Sequence, residues 1–185
     1  ALYSDLTMIG GEISYNTSGN KGAGMEFRDS NGYLSGLNIH NNSGGLEESW
    51  AHGGGGINLE NSSPTIVDSE IYENHACAGM TSYCSGGGIR WKSGNGDPLL
   101  INVLIRDNRA YTAAGFYLSN PTLVNVTITD NVYNDDINGS QVRMGNNARI
   151  KSSIIMGSGS VLKGNPVVSY SNISDGYSGT GNINS

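Results

Sequence analysis

The residues best suited to chemistry lie in polar, glycine- and serine-rich stretches. Asp135 and Asp136 are adjacent, Asp130 stands shortly before them, and His52 and His75 sit in segments reading WAHGG and ENHAC. Two carboxylates roughly 6.5–9.5 Å apart, one kept protonated, would hydrolyse a glycosidic bond with inversion. Acidic side chains gathered around Ca²⁺, beside a base that takes the proton α to a uronate, would make a lyase instead. Arg90 and Lys92 are basic candidates, and Trp50, Tyr83, Tyr111 and Tyr133 supply rings that can stack on sugars. Whether any of this chemistry is assembled depends on the elements that carry these residues.

The composition points to short strands and tight turns. Of 185 residues 36% are hydrophobic, 14% are charged and 28 are glycine, without the Ala/Leu/Glu/Lys enrichment of helices or the block charge of disorder. The length suits a single domain over residues 1–185 with its own core. A net charge of −6 argues against the basic face that nucleic acid requires. No apolar run approaches the roughly 18 residues of a membrane span. The chain begins at Ala1 without a signal sequence, so a module or fragment of a larger exported protein is expected. A disulfide between Cys77 and Cys84 is preferred over free thiols for such a protein, and zinc lacks a second ligand pair.

The stretch PTLVNVTITDN at 121–131 repeats the grammar of PTIVDSEIYEN at 64–74. With Ile128 as position zero, that column holds Ile13, Ile39, Ile71, Ile105, Ile128, Ile155 and Ile173. Position −5 holds Met8, Leu34, Ile66, Leu100, Leu123, Ile150 and Val168. Position +3 holds Asn16, Asn42, Asn74, Asn108 and Asn131, then Ser158 and Gly176. All four prolines, Pro64, Pro98, Pro121 and Pro166, fall at −7. A constant register with variable spacing predicts stacked coils whose insertions leave as loops.

Positions −5 and zero have opposite parity, so both face one core only if the backbone turns between them. Position −3 supplies turn residues there: Gly10, Gly36, Asp68, Asn102, Asn125 and Ser152, with Tyr170 as the exception. A third strand alternates apolar residues at Met25/Phe27, Ile57/Leu59, Ile89/Trp91, Phe116/Leu118 and Val142/Met144. The expected fold is therefore all-β, a parallel β-helix of about seven coils with three short strands per coil. Right-handed crossovers are the strong expectation for parallel strands. The asparagines at +3 are expected to form a hydrogen-bonded ladder from coil to coil.

These lines resemble the right-handed parallel β-helix repeats of bacterial secreted and cell-surface proteins, the pectate-lyase-like superfold. The resemblance carries the GGGI and PTIVDSEIYEN lines and the tail VSYSNISDGYSGTGNINS. It implies an extracellular or cell-surface location but not one function, since the superfold hosts lyases, hydrolases and adhesins. The polygalacturonase-like members suggest comparing Ala51-His52-Gly53, Thr129-Asp130-Asn131, Asp135-Asp136 and Arg149-Ile150-Lys151 with their catalytic segments. The histidine here precedes both acidic segments, and Ile150 belongs to a core column, so charges simply flank a buried residue.

The lyase reading fares no better. The outward residues of the third strand, Glu26, Asn58, Arg90, Tyr117 and Arg143, with Arg28, Glu60 and Lys92 beyond them, form a mixed-sign stripe. Ion pairs such as Glu60–Lys92 account for it. Loops at 43–54, 75–87, 109–114 and 132–140 should lie side by side, gathering Trp50, His52, His75, Tyr83, Tyr111 and Tyr133. These residues face a polysaccharide or cell-surface glycan, or else the rings cover the edge of the core. The expectation is a noncatalytic structural or adhesive module without a cofactor; Ca²⁺ would enter only with the alternative, a polysaccharide lyase or glycoside hydrolase on acidic glycans. Open end coils expose strand edges that neighbouring copies or flanking domains could pair with.

Overall fold

The computed structural model describes residues 1, 5–19, 22–45, 53–77, 84–94, 97–133, 139–158 and 160–184, with Lys92 and Asn184 as backbone only. Every strand pairing in it is parallel and joins one coil to the next. The isoleucine column stacks as expected, Ile13 on Ile39, Ile71, Ile105, Ile128, Ile155 and Ile173 in turn. Met8, Leu34, Ile66, Leu100, Leu123, Ile150 and Val168 stack likewise. Ile39 through Ile155 and Leu34 through Ile150 in these two columns are wholly buried, each contributing about 1.5–3 kcal/mol of apolar transfer.

Both columns belong to one 13-stranded sheet bent along its length. Its leading arm contains Thr65–Val67, Leu99–Ile101, Thr122–Val124, Arg149–Lys151 and Val167–Ser169. Its following arm contains Glu70–Tyr72, Leu104–Arg106, Thr127–Thr129, Ile154–Ile155, Asn172–Ile173 and Ile183–Asn184. Thr7–Ser14 and Tyr33–His40 run through both arms. The bend lies at position −3, where Gly36, Asp68, Asn102, Asn125 and Ser152 all have φ between 49° and 65°. Tyr170, the exception by residue type, adopts the same backbone at φ 51°, with its N–H donating to Thr180 O at 2.9 Å. A second left-handed column sits at +2, in Tyr15, Asn41, Glu73, Asp107 and Asp130, and turns the chain just before the asparagines.

The third strand forms a six-stranded sheet of Met25–Arg28, Ile57–Glu60, Ile89–Ser93, Phe116–Tyr117, Val142–Arg143 and Leu162–Lys163. The last of these was not foreseen. A further two-residue segment follows each asparagine: Thr17–Ser18, Ser43–Gly44, His75–Ala76, Arg109–Ala110 and Val132–Tyr133. The prolines enter the leading arm where no N–H is needed. Their carbonyls serve the next coil, Pro64 O accepting from Leu99 N–H at 3.1 Å and Pro98 O from Thr122 N–H at 3.0 Å.

The asparagine column is a directional ladder. Asn42 donates through its N–H and Nδ2 to Asn74 Oδ1 at 3.1 and 2.9 Å, and Asn74 donates in the same way to Asn108 Oδ1 at 3.0 Å for both bonds. Asn16 and Asn108 repeat the pattern toward Asn42 and Asn131. The glycine that opens the first four third strands, at Gly24, Gly56, Gly88 and Gly115, makes room for this ladder. A Cβ on Gly56 or Gly88 would lie 3.1 Å from the amide nitrogen of Asn74 or Asn108 and 2.6 Å from the next coil's glycine carbonyl. A shorter serine ladder runs at −2, where Val126 N–H donates to Ser153 Oγ and Ser153 N–H to Ser171 Oγ, each at 3.1 Å.

The two ends of the solenoid differ. At the C-terminal end Asn182 takes the serine position, its Oδ1 accepting from Ser171 N–H at 3.1 Å while Nδ2 donates to Tyr177 O at 3.0 Å, and Tyr177 packs against the core. At the other end, Thr7–Ser14 pairs among the described residues only with Tyr33–His40. The tail thus caps part of the last coil, while Leu162–Lys163, Val167–Ser169 and Ile183–Asn184 each end a sheet among the described residues.

Candidate functional site

Trp50, His52 and Tyr83, like Asp135 and Asp136, lie outside the described residues. The other loop candidates are placed. Cys77 and Cys84 are joined by a disulfide and form a small buried cluster with Ala76, Ala110 and Ala114. Tyr111 and Tyr133 pack against that cluster, and Tyr133 Oη donates to Ser158 O at 2.8 Å. The two rings therefore cover the core edge. His75 is half-buried in a strand between Ser43 and Arg109, and burial, with the Arg109 cation, pushes its imidazole below the ordinary value.

On the third sheet the outward column runs Glu26, Asn58, Arg90, Tyr117, Arg143 and Lys163. Arg90 is only 9% exposed; its stem fills the space beside Gly53, leaving no room there for a side chain. Burial lowers its pKa, with Tyr117 and Glu60 opposing. Lys92 follows in Ile89–Ser93. Glu60 has an ion-pair partner in Arg28, whose Nε lies 3.4 Å from Glu60 and whose Nη2 lies 3.1 Å from Glu26; the side chain of Lys92, the partner expected for Glu60, lies outside the described residues. Arg143 lies over the Tyr117 ring at 5.6 Å. These carboxylates are thus held by an arginine between coils. Arg149 and Lys151 flank buried Ile150, as the core-column reading requires.

Sequence reasoning passed over the most connected outward cluster. Position +1 of the following arm reads Ser14, His40, Tyr72 and Arg106 on consecutive coils. The Tyr72 ring is stacked on His40 at 4.6 Å and carries the Arg106 guanidinium on its other face at 4.4 Å. Tyr15 meets His40 edge-on at 5.9 Å. His40 Nε2 faces Glu12 Oε1 at 3.1 Å, while Asn41 Nδ2 donates to Nδ1 at 2.9 Å, which places the proton on Nε2. Ser14 Oγ donates to the same Glu12 oxygen at 2.7 Å. The carboxylate thus sits between serine and histidine, the reverse of the order that activates a hydroxyl. The serine bond and His40 together hold the Glu12 carboxyl below its usual range. The signal was the shared +1 position, which no common residue type marks.

Among the described residues, no group of three or more His, Cys, Asp or Glu side chains is placed to hold a metal, and no helix is long and apolar enough to cross a membrane.

Parallel coils, a repeating core and side-chain ladders at the corners define a β-solenoid. The family model described as "Right handed beta helix region" matches residues 4–151, and the chain belongs to that family. No curated protein and no solved structure gives a match.

Proposed function

We propose that this chain is a noncatalytic structural module, a rigid β-helical spacer of an extracellular or cell-surface assembly. The observation that carries the reading is the use made of buried polar side chains. Asn42, Asn74, Asn108, Asn131 and Gln141 are almost fully buried, and each is bonded to a neighbouring coil or to the next ladder residue. Satisfied networks of this kind stiffen a fold and specify one register. The disulfide fits an exported protein. The alternative partner is a polysaccharide or cell-surface glycan; Tyr111 and Tyr133 already cover the disulfide cluster, and Trp50 and Tyr83 lie outside the described residues.

The test is an activity screen of the purified chain against acidic and neutral polysaccharides, with and without Ca²⁺. It follows absorbance from unsaturated uronates and release of reducing ends. Silence across the panel is expected. Turnover that disappears in Arg90→Gln or Glu12→Gln would overturn the structural reading in favour of a lyase or hydrolase.

A further inference from the structure

We infer that the outward face of the leading arm is an interface on which a second copy of this chain packs side by side, the two solenoids running antiparallel. The inference goes beyond the structural reading above and does not depend on it.

Strand alternation turns positions −6 and −4 of the leading arm away from the core, on either side of the buried column at −5. On three consecutive coils these positions hold Thr65 and Val67, Leu99 and Ile101, then Thr122 and Val124, all half-buried. The coil before them adds Tyr33, which is 42% exposed, and Ser35. None of these residues is charged. The outward positions of the following arm, by contrast, carry Glu12, Glu70 and Arg106, and those of the third sheet carry Glu26, Arg28 and Arg143. An uncharged, largely apolar sheet face bordered by charged ones marks an interaction surface.

The order of residues on this face selects the partner. Threonine–valine, leucine–isoleucine and threonine–valine read the same from either end of the solenoid. A two-fold axis along Leu99–Ile101 therefore sets Thr65 opposite Thr122, Val67 opposite Val124, and Leu99 and Ile101 each opposite its own copy. Self-complementarity of this kind is what an isologous dimer requires. One coil further out the match is between unlike groups. Arg149 and Lys151, both exposed, come to lie over Tyr33 and Ser35 of the second copy, a cation against a ring. Lys151 is then one rung, about 4.8 Å, from the second copy's Asp68 at the corner. The like-charge approach this creates, Asp97 with itself beside Pro98, is at an exposed corner and is screened by salt.

The wider charge distribution favours the same direction. Residues 1–75 hold ten carboxylates against two Lys or Arg, while residues 76–185 hold six against eight. Antiparallel solenoids set these unlike halves together, and parallel ones would set like against like. The strip is only three residues wide, so the interface belongs with the small, reversible ones.

Sedimentation velocity over a concentration series reaching the sub-millimolar range should show the chain in monomer–dimer equilibrium. Ile101→Lys brings two cations together on the axis and should weaken the dimer by about tenfold or more, with hydrogen-exchange protection at Ile105 unchanged. Single cysteines joined by a short bis-maleimide report the direction, since Cys77 and Cys84 are bonded to each other. Ile101→Cys should link to its own copy. Val67→Cys should link to Val124→Cys when the two variants are mixed, and poorly to itself. A chain that stays monomeric would overturn the inference, as would an Ile101→Lys dimer as tight as the parent. So would Val67→Cys linking to itself as readily as Ile101→Cys does, the mark of a parallel pair. Polysaccharide cleavage is scored separately, so failure of the structural reading and failure of the interface are distinguishable.

Discussion

Gln141 closes the ladder that Asn131 would otherwise leave open. Its Oε1 accepts from Asn131 N–H at 2.9 Å and from Asn131 Nδ2 at 3.1 Å, and its Nε2 donates back to Asn131 O at 2.7 Å. Every earlier coil has glycine where Gln141 stands, at Gly24, Gly56, Gly88 and Gly115. The ladder therefore ends by a switch of element: the acceptor comes from the third strand once the corner position has become Ser158.

Gln141→Gly should consequently destabilise the protein although it restores the repeat's own residue. Losing the acceptor leaves the buried Asn131 N–H unmet, while Nδ2 keeps Thr129 O and Ile105 O; the cost is about 1–3 kcal/mol. Urea unfolding of the variant beside Asn74→Ala, an interruption within the ladder, checks this; both midpoints should fall, and an unchanged Gln141→Gly midpoint would contradict the role given to Gln141.

Two glycines should fail for different reasons. Gly88→Ala meets Gly115 O at 2.6 Å and the Asn108 amide at 3.1 Å, so the loss of about 1–3 kcal/mol is overpacking and no other side chain repairs it. Gly36 has φ +65° and no atom closer than 3.7 Å. Its replacement by alanine should cost about 1–2 kcal/mol of backbone strain, and asparagine, the residue at Asn102 and Asn125 in that column, should recover much of it. Thermal midpoints of the three variants separate the two causes.

The disulfide closes a short loop, Cys77 and Cys84 being 7 positions apart. Chain-entropy reasoning gives it about 2–3 kcal/mol. Reduction should lower the thermal midpoint and loosen the packing of Tyr111 and Tyr133, read by tyrosine fluorescence, while the isoleucine columns keep their hydrogen-exchange protection.

His75 sets a pH window. Its folded pKa lies below the ordinary value of about 6.5, so the unfolded chain binds the proton more readily. Its contribution to stability is full above that ordinary value and is lost as pH falls below it toward the folded pKa. Chemical denaturation between pH 7.5 and 5 should show stability falling with acid, and His75→Gln should flatten that part of the slope.

Much of this fold was legible because one residue type repeats in each core column: isoleucine at zero cannot shift by one position without facing solvent. The corner at −3 was legible for the same reason, since Gly, Asp and Asn share a tolerance of left-handed backbone. Asn16 to Asn131 could be read as a ladder. Gln141 could not, because its contact with Asn131 joins different strands. The stack of His40, Tyr72 and Arg106 escaped because aromatic and cationic faces attract one another without being alike. Tyr111 and Tyr133 have the composition of a sugar platform, and only their contact with the disulfide cluster shows what the rings cover.

Successive rungs are separated by 26, 32, 34, 23, 27 and 18 residues along the chain. Under tension applied at the termini, a solenoid peels rung by rung, and each rung releases slack in proportion to its own length. At about 3.4 Å per extended residue, the 34-residue turn would pay out roughly twice the length of the 18-residue one, less the segment that the disulfide keeps tied. The unequal loops thus act as a series of fuses of different length: a molecule held at both ends gives way in unequal steps.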